Sequence, residues 1–124
     1  MFRRHLIIIF GLIFTFYLIG FSVFAGEYKT LKPEELKSML DNKNFFLIDV
    51  HIPEQVHIPG TDAFIDYREI KQNEDELPTD KNTKIVVYCR SGSMSRSASV
   101  DLINMGYTNV YDLKGGIKAF NKIN

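Results

Sequence analysis

One cysteine occurs in the 124-residue sequence, and the residues that follow it are suited to hold an anion. Cys89 ends the apolar, β-branched run "KIVVYC", and the small polar stretch "RSGSMS" comes next. Gly92 allows this stretch to turn tightly, and a tight turn that runs into a helix points several backbone N–H groups at one place. Such groups would stabilise a thiolate, a persulfide or an oxyanion. Arg90 and Arg96 add positive charge to the same segment.

Two roles for Cys89 fit this pattern. A free thiol beside N–H groups and arginines is typical of a nucleophile. The alternative is a buried cysteine that packs as a small apolar residue. Its position after a predicted strand and before a predicted helix is where α/β sheets bind ligands, and this favours the nucleophile. We expect Ser91, Ser93 and Ser95 to supply backbone N–H groups and, from one of them, an N-cap oxygen.

Strands and helices alternate along the chain after its first 25 residues. The predicted strands are residues 28–31, 45–50, 63–67, 84–89 and 109–113. Helical spacing of apolar residues begins at Pro33, recurs over 95–105 and ends there at Gly106, and a Gly-Gly turn introduces a short terminal helix. This alternation predicts one α/β domain with a doubly wound, mainly parallel sheet. Tyr88 and Phe120 are predicted to lie in its core.

The N-terminal segment has the features of an export signal. Residues 6–24 are almost wholly apolar and uncharged, Arg3 and Arg4 precede them, and Ala25 ends a small-residue cleavage site. The prediction is a signal peptide over 1–25 and a mature domain over 26–124. About 20 apolar residues also span a bilayer, so an uncleaved membrane anchor is the alternative, and a buried cytosolic helix is the third. The first two place the domain outside the cytoplasm, in the periplasm or an equivalent compartment.

The charge balance argues against a nucleic-acid partner. The chain has 15 Lys and Arg and 15 Asp and Glu. Because Arg3 and Arg4 precede the mature domain, that domain has 13 basic against 15 acidic residues, a net charge of −2. Such a surface is not that of a nucleic-acid-binding protein. A single cysteine cannot form an internal disulfide, so an exported chain would carry a free thiol or an intermolecular partner.

Three motifs resemble the rhodanese-like sulfurtransferases. "YCRSGSMS" resembles the active-site loop of that family, which commonly reads C-R-S-G-x-R-S. "FFLIDVHIPEQVHIPGT" is similar to its upstream segment and "NVYDLKGGIKAF" to its terminal one, so the resemblance spans residues 45–120. It implies a rhodanese-like doubly wound sheet of about five mainly parallel strands, flanked by helices.

The resemblance also implies a chemistry. The Cys89 thiolate would take a sulfane sulfur from thiosulfate, polysulfide or a persulfide donor and become a persulfide. A thiol or cyanide would then accept that sulfur, and no cofactor would be needed. Because the chain has no second cysteine, the acceptor must be external, such as a small thiol or a thioredoxin-like protein.

The expected site combines the loop with two supporting residues. Cys89 is the catalytic residue, and the substrate-binding residues are Arg90, Ser91, Gly92, Ser93, Met94, Ser95 and Arg96. Asp49 is expected to pin neighbouring loops by hydrogen bonds, and the ring of His57 to bond local backbone in the "HIPG" turn. No metal site is expected, because His51, His57 and Cys89 lack the spacing of metal ligands.

The loop departs from the family's pattern where charge matters, and two other functions stay open. The family's loop arginine corresponds by position to Met94 or Ser95, so the choice between thiosulfate and another sulfur donor is open. A Cys-loop phosphatase would need its arginine at Ser95, whereas this chain has it one residue later, at Arg96. A non-catalytic binding or sulfur-carrier module is the other alternative.

Overall fold

The structure is a computed structural model that describes residues 26–123, so the predicted leader, residues 1–25, lies outside the described residues. The strands are β1 (Lys29–Leu31), β2 (Phe46–Asp49), β3 (Ala63–Phe64), β4 (Ile85–Tyr88) and β5 (Val110–Leu113). The helices are α1 (Pro33–Leu40), α2 (Ser93–Asn104) and α3 (Gly116–Lys122), with a 3-10 helix at Lys71–Glu76. Within residues 26–123, no helix has the length and apolarity needed to cross a membrane.

All five strands are parallel and form one sheet in the order β1-β5-β4-β2-β3. The predicted doubly wound α/β fold is therefore confirmed. Strand β4 lies at the centre, and its four residues are fully buried because helices cover both faces of the sheet. Ala98 and Leu102 of α2 pack on one face, and Leu36 of α1 and Phe120 of α3 pack on the other. The predicted core positions of Tyr88 and Phe120 are confirmed.

Two glycines set the ends of α2. Gly92 is its N-cap, with a φ of 123°, and Gly106 follows its C-cap with a φ of 97°. The predicted end at Gly106 is confirmed, since glycine adopts this backbone conformation without strain. The expectation of a serine N-cap was wrong, because the helix begins at a residue without a side chain and at a φ that a serine rarely adopts.

Strand β3 is shorter than the sequence predicts. It ends at Phe64 rather than at Tyr67. The Asp66 carboxylate accepts the N–H of Arg68 at 2.9 Å, and this local turn competes with an extended chain. The backbone of Ile65 still bonds β2, through the carbonyl of Asp49 at 3.0 Å. The loop between β2 and β3 is thus held at the carboxyl edge of the sheet.

The hydroxyl of Tyr88 anchors that loop to β4. It accepts the N–H of Ile58 at 2.9 Å and lies 2.7 Å from the hydroxyl of Thr61. Thr61 donates its own proton to the Ile58 carbonyl at 2.6 Å, so the Tyr88 hydroxyl is the donor to Thr61. Burial raises the pKa of Tyr88 above its ordinary value, which keeps this donor protonated.

We predict that Tyr88→Phe destabilises the fold by about 1 to 3 kcal/mol, because it leaves the buried N–H of Ile58 without an acceptor. The free energy of unfolding in urea measures this loss. Tyr67→Phe, at a half-buried tyrosine of the next loop, is the matched control and should change stability by much less. Equal effects of the two substitutions would contradict the anchoring role.

Candidate active site

The loop after β4 holds the sulfur of Cys89 close to a helix N-terminus. The side chain is 1% exposed, and its Sγ accepts the N–H of Gly92 at 3.0 Å. Gly92 is the N-cap of α2, so the first N–H group of that helix points at the sulfur. This is the predicted placement of a thiol at the carboxyl end of a central strand. The positive end of the Gly92 N–H dipole therefore faces the sulfur.

Helix α3 fixes the shape of the same loop. The N–H groups of Ile117 and Lys118 donate to the carbonyls of Cys89 at 2.9 Å and of Arg90 at 3.0 Å. These are N-terminal helix N–H groups that would otherwise have no partner within the helix. Gly116 makes this approach possible, because a Cβ there would lie 2.6 Å from the carbonyls of Cys89 and Arg90. Two carbonyl oxygens are thus engaged by α3, which holds the backbone that leads to the Gly92 N–H beside the sulfur.

The hydroxyl of Ser95 connects the sulfur to a buried carboxylate. The Cys89 thiol donates to Ser95 Oγ at 3.4 Å, and Ser95 Oγ lies 2.5 Å from Asp112 Oδ1 and 3.0 Å from the Gly92 carbonyl. Burial raises the pKa of Asp112 above its ordinary value, and the hydrogen bond from Ser95 and the charge of Arg96 partly offset that rise. The order along this chain of contacts is thiol, hydroxyl, carboxyl.

The other predicted substrate-binding residues lie around the loop in different environments. Arg90, Ser91, Ser93 and Arg96 are exposed, and a Cβ on Gly92 would lie 3.0 Å from the Arg96 guanidinium. Met94 is half-buried and packs against the core cluster under α2. The two cations of the loop, Arg90 and Arg96, are thus exposed to solvent, whereas Met94 faces the core.

Asp49 holds the loop that follows β2, as the sequence predicts. Its fully buried carboxylate accepts the N–H of His51 at 3.0 Å, the side-chain amide of Gln55 at 3.2 Å and the ring of His57 at 2.8 Å. The other ring nitrogen of His57 contacts Glu54 at 2.9 Å. The expectation that His57 bonds local backbone was wrong, because two carboxylates flank its ring.

A surface cleft of about 390 Å³ adjoins the loop. Arg90 lines it together with Lys118 of α3, and His51, Glu54 and Val56 come from the loop after β2. Val56 is 88% exposed, and Cys89 does not line the cleft. Within residues 26–123, no three His, Cys, Asp or Glu side chains are placed to hold a metal ion.

Two functional groups were missed in the sequence. Asp112 lies inside the apolar strand "NVYDL", and only its carboxylate in an otherwise apolar run could have drawn attention. Ser95 was expected to act through its backbone, yet its hydroxyl makes the contact with Cys89. Both contacts depend on how β5 and α2 pack beside β4, which the local sequence does not show.

The comparisons with known proteins agree with this geometry. Residues 32–123 match the rhodanese-like domain family. The chain belongs to that family. A rhodanese-related protein from Thermoplasma volcanium has the same fold, with a TM-score of 0.66, 22% identity, and coverage of 77% of this chain and 93% of that one.

Longer proteins contain a similar domain. The chain is 34% identical over 102 residues to a tRNA uridine(34) hydroxylase from Erwinia tasmaniensis, a match that covers 75% of this chain and 28% of that protein. It is 34% identical over 99 residues to the adenylyltransferase and sulfurtransferase UBA4 from Candida albicans, with coverage of 70% and 22%. This rhodanese-like domain thus spans less than a third of the curated relatives it matches.

We predict that Gly116→Ala weakens both the fold and the loop. Gly106→Ala is the matched control, because Gly106 also has a positive φ but would place its Cβ in open space. The control should lose about 1 to 2 kcal/mol from backbone strain alone. Gly116→Ala should lose about 1 to 3 kcal/mol more, since its Cβ meets the carbonyls of Cys89 and Arg90. Urea unfolding measures both losses, and equal losses would contradict the contact.

The His57 cluster predicts a pH dependence of stability. The hydrogen bond to Asp49, and then that to Glu54, raise the pKa of His57 above its ordinary value of 6.5. Because the folded-state value is the higher one, the stabilisation is complete below the unfolded-state pKa and is lost as pH rises through the folded-state pKa. The stability difference between the wild type and His57→Gln should therefore be largest well below pH 6.5 and shrink as the pH rises above that value.

Urea unfolding at a series of pH values measures this difference. Glu54→Gln should remove only the smaller part of the pH dependence, because it leaves the stronger bond to Asp49 in place. A stability difference that stays constant with pH would show that His57 contributes through packing alone.

Proposed function

We propose that this domain is a sulfurtransferase in which Cys89 carries a sulfane sulfur as a persulfide. The observation that supports this most directly is the Gly92 N–H at 3.0 Å from Cys89 Sγ, in a loop whose carbonyls are engaged by α3. A nucleophilic thiolate needs such donors, whereas a cysteine that only fills space does not. One similar protein supports the proposal as well, since the UBA4 relative is named an adenylyltransferase and sulfurtransferase.

The transfer takes place in two displacements. The Cys89 thiolate attacks the sulfane sulfur of the donor, an S–S bond forms on Cys89, and the rest of the donor leaves with the bonding electron pair. The thiolate or cyanide acceptor then attacks the outer sulfur, and Cys89 leaves as a thiolate. The first displacement oxidises the Cys89 sulfur to a persulfide at the expense of the donor, and the second returns it to a thiolate, so the full cycle leaves the redox state of the protein unchanged and needs no cofactor.

The donor is a small sulfane-sulfur compound. Cys89 is 1% exposed, so the group that delivers sulfur must be narrow where it enters the loop. Arg90 and Arg96 are the cations of the loop that can meet an anionic donor. Because Met94 packs toward the core and supplies no charge, polysulfide and persulfide donors compete with thiosulfate.

The acceptor is external, because Cys89 is the only cysteine of the sequence. A small thiol, or a thioredoxin-like protein outside the cytoplasm, fits this requirement. The apolar segment over 6–24 supports an exported domain, either released by cleavage after Ala25 or kept at the inner membrane by that segment.

We predict that the purified protein gains the mass of one sulfur atom when it is exposed to a suitable donor, because the persulfide is a stable covalent adduct until an acceptor is added. Intact mass spectrometry after thiosulfate and, separately, after polysulfide measures the gain. Cyanide or a small thiol should remove the added sulfur.

Two variants control this experiment. Cys89→Ser should gain no sulfur, and Ser99→Ala, a buried serine of α2 whose hydroxyl bonds the Ser95 carbonyl, should gain it as the wild type does. If no donor adds sulfur to the wild type, the proposed function fails. The mass of the protein recovered from the cell envelope also shows whether residues 1–25 have been removed.

A further inference from the structure

Three side chains from three separate elements meet in the core beside the sheet. Cys89 follows β4, Ser95 lies in the first turn of α2, and Asp112 lies in β5. Their exposed fractions are 1%, 0% and 4%. The distances are 3.4 Å from sulfur to hydroxyl and 2.5 Å from hydroxyl to carboxyl oxygen, so the three form one continuous hydrogen-bonded chain.

The single proton of the Ser95 hydroxyl is available to this chain. The Gly92 carbonyl also lies 3.0 Å from Ser95 Oγ, but it already accepts the N–H of Arg96 at 3.2 Å. The contact with Asp112 is shorter and has the length of a hydrogen bond between a hydroxyl and a carboxylate. Ser95 therefore donates to Asp112 while its oxygen accepts the proton of the Cys89 thiol.

We propose that Ser95 and Asp112 form a proton relay that takes the thiol proton of Cys89 when the thiolate forms. The S–H bond of Cys89 breaks as its proton moves to Ser95 Oγ, and the hydroxyl proton of Ser95 moves to Asp112 Oδ1. The negative charge moves from the carboxylate to the sulfur, and the total charge of the three groups does not change. Asp112 acts through Ser95 and is a positioning residue, whereas Ser95 touches the reacting atom.

Burial explains why this route is favourable. Two anions in one buried site would repel each other and both lack water, so ionising Cys89 while Asp112 keeps its charge is disfavoured. The relay keeps one anion in the site at every stage. Burial also raises the pKa of Asp112, which makes its carboxyl a better holder of the proton. The charged group that acts on Asp112 from α2 is Arg96, which lowers that pKa in part.

The relay deepens the proposed function, since it rests on Cys89 as the nucleophile, but its test needs no sulfur donor. Iodoacetamide alkylates the thiolate of Cys89, and its rate at a series of pH values reports how the thiolate forms. In the wild type the rate should be independent of pH in the acid range, because the proton goes to Asp112 and not to solvent. It should fall only where solvent protonates Asp112.

Asp112→Asn removes the proton acceptor and keeps the shape of the side chain. Its alkylation rate should fall about tenfold for each unit of pH on the acid side, because the proton must then go to solvent. Above the pH at which solvent protonates Asp112, this variant should react faster than the wild type, because no buried carboxylate opposes its thiolate, and the two rates should converge in alkali. Ser95→Ala breaks the relay at its middle and should show the same sloping profile. Ser99→Ala, one helical turn away, removes a hydroxyl that bonds the Ser95 carbonyl and not its side chain, and should keep the wild-type profile.

The profile separates this relay from a purely structural role. If Asp112→Asn and Ser95→Ala keep the pH-independent region, the relay is overturned. If a variant fails to fold, the wild type still tests the relay, because a wild-type rate with no pH-independent region overturns it. A wild type that alkylates as expected but never gains sulfur would refute the proposed function and leave the relay intact.

Discussion

The parallel pairing of β4 with β2 on one side and β5 on the other determines where every polar group of the site lies. In this register Asp49 is opposite Tyr88, and Asp112 is opposite Val87. Both carboxylates are therefore brought to the edge of the sheet where Cys89 leaves β4. A shift of one residue in either pairing would turn one of these carboxylates to the wrong face of the sheet.

The two buried carboxylates, Asp49 and Asp112, lie on opposite faces of the sheet and have different hydrogen-bond partners. Side chains alternate along a strand, so Asp112 shares the α2 face with Val110, and Asp49 shares the opposite face with Leu47. Asp49 meets several donors and serves as a fixed hub for the loop after β2. Asp112 lies on the face where the Cys89 side chain packs, and its carboxyl has one hydrogen-bond partner, the Ser95 hydroxyl. With a single donor to stabilise its charge, this carboxyl can take up a proton without breaking a larger network. One aspartate thus stabilises a loop on one face of the sheet, and the other is connected to the Cys89 thiol, through Ser95, on the opposite face.

The sequence predicted the parts of the site that depend on neighbouring residues. The apolar run before Cys89, the glycine at 92 and the end of α2 at Gly106 are local signals, and each was interpreted correctly. The role of Asp112 was missed because it depends on the packing of β5 beside α2, whose contacting residues are 17 positions apart. The partners of His57 were misjudged for a similar reason, since the fold of its loop brings Asp49 and Glu54 to opposite edges of the ring.

The position of Gly116 against the Cys89 carbonyl affects when, during synthesis and folding of the chain, the thiol loop can form. β5 lies between β1 and β4 in the sheet, and α3 supplies the N–H groups that hold the thiol loop. A growing chain that has reached Asn104 already contains the cysteine, yet neither the first strand nor the loop has its partners. The loop around the thiol is held in place only when residues 110–118 have been synthesised, β5 has paired between β1 and β4, and α3 has bonded the loop carbonyls. An unfolded chain therefore lacks this arrangement around its cysteine, and the site is complete only when β5 and α3 have packed.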